Sequence, residues 1–195
     1  MKVLFITSNR IGDAVLSTGL LNHLINTHKD IEITLACGPD AAPLFSFMPG
    51  LEEVISLRKL PNHMHWLRLW KKVRLKRWDI VVDLRSSLIA YFLISKKKYI
   101  YRKGNKLNHQ VVDLTNFLNL DDVVNPVIWL SESLITKAKE LIPPSVPVFA
   151  VGPTANWKGK QWSSEKFYEI IGRLTAHESV FEGYKVAVFG SLSER

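Results

Sequence analysis

One cysteine, Cys37, stands in 195 residues. A single thiol excludes an intrachain disulfide and a cysteine-based metal site, and such scarcity fits a reducing compartment. Long apolar runs are missing as well. The longest, Leu88 to Ile94, falls far short of the ~20 residues that a membrane-crossing helix needs. The N-terminal run, Val3 to Ile6, is too brief for the core of a signal peptide and gives way at once to Thr7-Ser8-Asn9-Arg10. The chain therefore reads as soluble and cytoplasmic.

Acid is the next scarcity. From Arg58 to Arg77 there are eight Lys or Arg and no Asp or Glu, and from Lys96 to Lys106 six more. These stretches carry much of a net charge of +8. Such patches suit an anionic partner, whether nucleic acid, a phosphorylated ligand or an anionic membrane, or else form a solvated basic face. Charged residues overall make up 23% against 47% hydrophobic, so a real core is expected and wholesale disorder is not.

What is present is an alternation of strand and helix signals. Val3–Thr7 reads as a buried strand, and Asp13–His28 as a helix with Val15, Leu16, Leu20 and Leu24 on one side. Strands follow at Ile31–Cys37, stopped by Gly38-Pro39, at Val54–Leu57 and at Asp79–Leu84. A short helix is expected near Ala41–Phe47. Others are expected over His65–Lys76, Ser87–Ile94 and His109–Leu120, and from Ser131 to Leu141. Extended pieces are expected at Tyr99–Arg102 and Val127–Leu130. Strands separated by helices of this length imply an α/β fold with a parallel sheet covered on both faces.

Pro143-Pro144-Ser145-Val146-Pro147 is the natural linker. It divides a first domain, 1–142, from residues 148–195. There a second α/β pattern starts with strand Val148–Val151, helix Ser164–Leu174 and strand Lys185–Phe189. Two parallel strands and one helix do not close a core alone, so the second domain is expected to be incomplete.

Two loops carry the chemistry. In Ser8-Asn9-Arg10-Ile11-Gly12-Asp13 a glycine opens a helix, where backbone approaches a ligand closely and the helix end is positive. The glycine spacing matches neither the dinucleotide fingerprint nor the phosphate-binding P-loop. Asp13 has two readings: an N-cap or first-turn acid, or a carboxylate general base at the C-terminal edge of a parallel sheet. In the second loop Thr154 and Asn156 offer polar groups and Lys160 a cation. The helix start at Ser163-Ser164 offers free N–H groups, and the whole makes a plausible diphosphate cradle. Lys160 as an ordinary surface lysine, and Trp157 and Trp162 as packing residues, are the plainer readings.

The segments Arg10-Ile11-Gly12-Asp13-Ala14-Val15-Leu16-Ser17-Thr18, Trp78-Asp79-Ile80-Val81-Val82-Asp83-Leu84-Arg85, His109 and Gly152-Pro153-Thr154-Ala155-Asn156-Trp157-Lys158-Gly159-Lys160-Gln161-Trp162 occur in one order. In this the chain resembles glycosyltransferase family 9, the ADP-heptose:lipopolysaccharide heptosyltransferases. The resemblance implies a GT-B enzyme, two Rossmann-like domains with the acceptor mainly on the first and the nucleotide sugar mainly on the second. It implies inverting transfer of heptose from ADP-heptose to the lipopolysaccharide inner core, without a cofactor. No D-x-D motif occurs, consistent with a metal-independent reaction.

By the same resemblance Asp13 is the base, Thr154 and Lys160 meet the donor diphosphate with Asn156 beside them, and Arg10 and Gly12 serve the acceptor or an anion. Gly19 and Ser163 stand where proline is common in the family. Family members run longer than 195 residues, so weak or no transfer is expected of this chain alone. A non-catalytic acceptor-binding module and a basic nucleic-acid-binding protein are the alternatives. The basic segment around Trp66, Leu69 and Trp70 either faces an anionic membrane or packs those side chains on the sheet.

Overall fold

The computed structural model describes residues 1–102, 108–155 and 157–190. Five strands form one sheet: β1 (Lys2–Ile6), β2 (Glu32–Cys37), β3 (Leu51–Ser56), β4 (Trp78–Asp83) and β5 (Ser95–Ile100). Their order is β3-β2-β1-β4-β5, with every neighbouring pair parallel. A parallel sheet is covered on both faces, so its central strands need apolar side chains at every position rather than at alternate ones. β1 and β4 meet that need. Val3, Phe5, Ile80 and Val82 join the core on one face, and Leu4, Ile6 and Val81 the core on the other. Cys37 closes β2 and is fully buried.

Helix α1 (Ile11–Thr27) crosses from β1 to β2, and α2 (Met64–Val73) from β3 back to β4. The two crossovers run in opposite directions along the sheet, and right-handed connections therefore lay them on opposite faces. Leu20, Leu21 and Leu24 of α1 share their core with Leu114 of α3 (Gln110–Phe117). Leu69 and Val73 of α2 share theirs with Trp78 and Val81. Gly19 lets α1 approach a later loop, for a Cβ there would lie 2.6 Å from the Val124 carbonyl oxygen and 2.8 Å from that of Asn125.

Three expected elements differ. Ser87–Ile94 holds only a 3₁₀ helix, Leu88–Phe92. Its start is bent around the buried Asp83 carboxylate, and its end is drawn into the sheet edge, where the Trp78 N–H donates to the Ile94 carbonyl at 3.1 Å. The segment near Ala41 is likewise a 3₁₀ helix, Ala42–Phe45. Residues 127–130 join no strand; instead the Val127 N–H donates to Thr18 Oγ1 at 2.8 Å, which fixes the segment on α1.

The chain separates into two compact units, Met1–Leu130 and Ser131–Arg195. The division falls ahead of helix α4 (Glu132–Leu141), which the proline-rich 143–147 segment follows. In the second unit Ser131 caps α4 by accepting the Leu134 N–H at 3.2 Å. The strands β6 (Val148–Val151) and β7 (Lys185–Val188) pair in parallel, with helix α5 (Ser164–Thr175) between them in sequence. Phe149 and Phe181 stack with ring centres 4.4 Å apart. Among the described residues of this unit Val151 is the buried hydrophobic.

Candidate functional site

Where β1 lies beside β4, the chain leaves the sheet in opposite directions, which opens a crevice at the C-terminal strand ends. A cavity of about 430 Å³ occupies it, lined among others by Thr7, Ser8, Asp13, Arg85, Ser86 and Gln110.

The β1 side is held by small polar side chains. Thr7 continues the ladder, its N–H donating to the Ala36 carbonyl at 2.8 Å. Its hydroxyl meets that of Ser17 at 2.8 Å in a buried pair that ties the strand end to α1. Gly38 admits the next residues, since a Cβ there would lie 2.5 Å from Asn9 Cα. Ser8 Oγ accepts the Arg10 N–H at 3.1 Å and donates to Asp13 Oδ2 at 3.2 Å.

Arg10 occupies the N-cap position without a side-chain cap bond, and Asp13 is the third residue of the first turn. Asp13 is exposed and therefore a first-turn acid rather than the cap. Apart from its chain neighbours and the backbone of its own helix, nothing lies within 4 Å of a Cβ built on Gly12. Packing does not demand glycine there; its effect is to leave the first-turn N–H groups of α1 bare, a favourable place for an anion.

The β4 side is built on Asp83, which is fully buried. Its carboxylate accepts the N–H of Arg85 at 2.8 Å, the N–H of Ser87 at 2.7 Å and the Ser87 hydroxyl at 2.6 Å. Burial pushes this carboxyl above its ordinary range, while the Ser87 and Arg85 hydrogen bonds pull the other way. The turn so formed holds Ser86 at φ 51°, a left-handed conformation that a non-glycine residue adopts at a cost of about 1–3 kcal/mol. The Ser86 hydroxyl donates to the Tyr101 carbonyl.

Arg85 projects between two neighbours: Nη1 donates to Asn9 Oδ1 at 3.0 Å, and the guanidinium lies 5.7 Å from the Trp66 ring centre. A carboxylate able to take a proton thus lines one cavity with a guanidinium able to hold an anion. Arg85, Ser86, Tyr101 and Gln110 were not among the site residues expected from sequence. The only local signal was a polar Arg-Ser-Ser run directly after an apolar strand ending in Asp.

In the second unit a cavity of about 550 Å³ lies beside the end of β6 and the start of α5. Thr154, Gln161, Trp162 and Ser164 line it, with Phe167 and Val188 on its apolar side. Ser163 caps α5, accepting the Lys166 N–H at 3.5 Å. Trp162 packs edge-on against Phe167 with centres 5.7 Å apart, and the Lys166 ammonium lies 5.6 Å from its ring centre. Lys160 is exposed, closing a 3₁₀ turn in which its N–H donates to the Trp157 carbonyl at 2.9 Å. It borders the loop without lining the cavity. Asn156 lies outside the described residues. Among the described residues no three His, Cys, Asp or Glu side chains gather in one place. Among the described residues no helix is long and apolar enough to cross a membrane.

No family model and no curated protein sequence matches the chain. Solved structures do. A glycosyl transferase of family 9 from Veillonella parvula superposes with a TM-score of 0.74 at 19% identity, over 99% of this chain and 64% of that one. The ADP-heptose lipopolysaccharide heptosyltransferase II of E. coli gives 0.71 at 20% identity, over 100% and 66%. The E. coli heptosyltransferase WaaC, solved with ADP, gives 0.66 at 17%, over 100% and 69%. The chain thus spans about two thirds of the length of these proteins and, over that span, has their GT-B Rossmann-like fold.

Proposed function

We propose that this chain is a family 9 glycosyltransferase, moving a heptose from ADP-heptose to a hydroxyl of the lipopolysaccharide inner core with inversion. The observation that carries the reading is Asp13, an exposed carboxylate on the first turn of α1, in the crevice between β1 and β4. It belongs to a fold shared with solved heptosyltransferases, one of them holding ADP.

Asp13 takes the proton of the acceptor hydroxyl, and that oxygen attacks the anomeric carbon opposite the diphosphate. The carbon–oxygen bond to ADP breaks, and ADP leaves with the electron pair, which inverts the centre. Thr154, Asn156, Lys160 and the first-turn N–H groups of α5 stabilise the charge that builds on the departing diphosphate. Arg10 and Gly12 hold the acceptor side, and the reaction uses no metal or cofactor. The protein works in the cytoplasm, with peripheral contact to the inner membrane.

A second reading, an acceptor-binding module without catalysis, draws on the second unit, where the described residues include two strands and one buried hydrophobic side chain beside the 152–162 loop. Amide NMR with ADP distinguishes the two. The transferase reading expects shifts at Thr154 and at Ser163–Lys166, lost in Lys160→Met; no response there overturns it. ADP release from ADP-heptose with a heptose-acceptor core then reads transfer itself.

A further inference from the structure

The 3₁₀ helix Leu88–Phe92 leaves a groove of about 420 Å³ beside α2, lined solely by Trp66, Leu67, Trp70, Leu88, Ile89 and Phe92. Trp66, Trp70 and Ile89 are anchored in the core beneath it. Leu88 and Phe92 project outward, 74% and 71% exposed, and Leu67 is 42% exposed. Large apolar side chains grouped this way on a surface mark an interaction site.

Its surroundings are of one sign. Residues 57–78 and 84–102, which frame the groove, contain no Asp or Glu. Cations of α2 and of the residues that follow it stand on two flanks. Lys72 and Lys76 pair with Glu53 of β3. Lys71 and Arg74 stand one helical turn from Leu67 and Trp70, on the groove side, and have no carboxylate partner among the described residues. The Arg74 guanidinium lies 4.9 Å from the Trp70 ring centre, at the groove wall. Lys98 is exposed and donates to the Tyr91 carbonyl at 3.1 Å, on the far side.

An apolar wedge flanked by Lys71 and Arg74, which have no carboxylate partner among the described residues, fits the boundary between the headgroups and acyl chains of an anionic bilayer. A second copy of the chain fits poorly, because a two-fold contact would set the same cations against each other.

We propose that this groove docks the first unit on an anionic lipid surface, with Leu88 and Phe92 entering the acyl boundary and Lys71 and Arg74 meeting lipid phosphates. Arg85, which touches both Trp66 of the groove and the Asn9 loop, sets the Asp13 cavity beside the headgroups. On the transferase reading above, that is where a lipid-borne acceptor arrives. The docking itself needs neither donor nor acceptor, so it stands or falls separately.

The test is co-sedimentation of the full chain with phosphatidylcholine vesicles, with and without phosphatidylglycerol, across a salt series. Binding is expected with the anionic lipid and should weaken as salt rises. Leu88→Ser with Phe92→Ser should lower affinity about tenfold for each side chain, the order expected for an apolar side chain leaving water. Lys71→Gln and Arg74→Gln should each lower it about fivefold and flatten the salt dependence. Retained circular dichroism confirms that these surface variants are folded. Equal binding to both vesicles, or wild-type binding by the Leu88/Phe92 variant, overturns the proposal. So does a dimer of the wild-type chain that this variant abolishes, which would assign the groove to a second copy.

Discussion

Gly19 and Gly12 sit in the same helix, and Gly→Ala should act on them in opposite directions. At position 19 an added methyl group would lie 2.6 Å and 2.8 Å from the carbonyl oxygens of Val124 and Asn125. Both obstacles are backbone, so no side chain can swing aside. The segment that must retreat is held by two hydrogen bonds, Val124 N–H to Thr115 Oγ1 at 3.2 Å and Val127 N–H to Thr18 Oγ1 at 2.8 Å. Overpacking costs about 1–3 kcal/mol, and each hydrogen bond lost adds about 0.5–1.5 kcal/mol. Alanine returns about 1 kcal/mol through helix propensity. The balance for Gly19→Ala is a loss of about 1–5 kcal/mol. At Gly12 nothing beyond its chain neighbours and its own helix lies within 4 Å, and Gly12→Ala should be neutral or stabilising by up to about 1 kcal/mol. Urea unfolding with amide exchange at Val3–Ile6 reads the first unit specifically. If Gly19→Ala proves as stable as Gly12→Ala, the packing argument is wrong.

Asp83→Ala should destabilise the first unit by about 3–5 kcal/mol, since two N–H groups and a hydroxyl lose their buried acceptor, and Asp83→Asn by less; chemical denaturation measures both. His65 is buried, and that burial, with the nearby His63 and Arg85 charges, holds its imidazole below the ordinary value of 6.5. The folded state then binds fewer protons than the unfolded one. Stability from this group is full above about pH 6.5 and is lost as pH falls through the depressed folded value. His65→Asn, which keeps an acceptor for the Leu60 N–H, should show a flatter profile over that window in melts at stepped pH. Asp13→Asn should leave the melting temperature within a degree or so, because the carboxylate is exposed with a single long hydrogen bond, yet remove any measurable transfer. An Asp13→Asn protein that still transfers sugar would refute the base assignment.

The central strands were legible because a parallel sheet imposes a local pattern, unbroken apolar residues over Val3–Ile6 and Ile80–Val82. Helices α4 and α5 announced themselves through Ser131 and Ser163, whose caps depend only on the next three residues. β5 was legible only in part. Ser95-Lys96-Lys97-Lys98 has no strand pattern, and it is the ladder with β4, Ile80 opposite Lys97 and Val81 opposite Lys98, that extends it. Lysines tolerate that place because β5 is the sheet edge. The same distinction runs through the site. The place of Gly12 and Asp13 in the first turn of α1 was legible because a Gly-Asp helix start is local. That of Arg85 was not, because its role comes from Asn9 and Trp66, distant in sequence and joined to it only by the fold.

The position of Cys37 has a practical outcome. Burial pushes its thiol up to about 11, so near neutral pH almost none is in the reactive thiolate form, and the sheet covers the sulfur completely. Alkylating reagents can reach it only while β2 is open to solvent. The one cysteine of the chain is therefore a built-in clock: its labelling rate, followed by mass spectrometry, counts the openings of the first unit without any introduced probe.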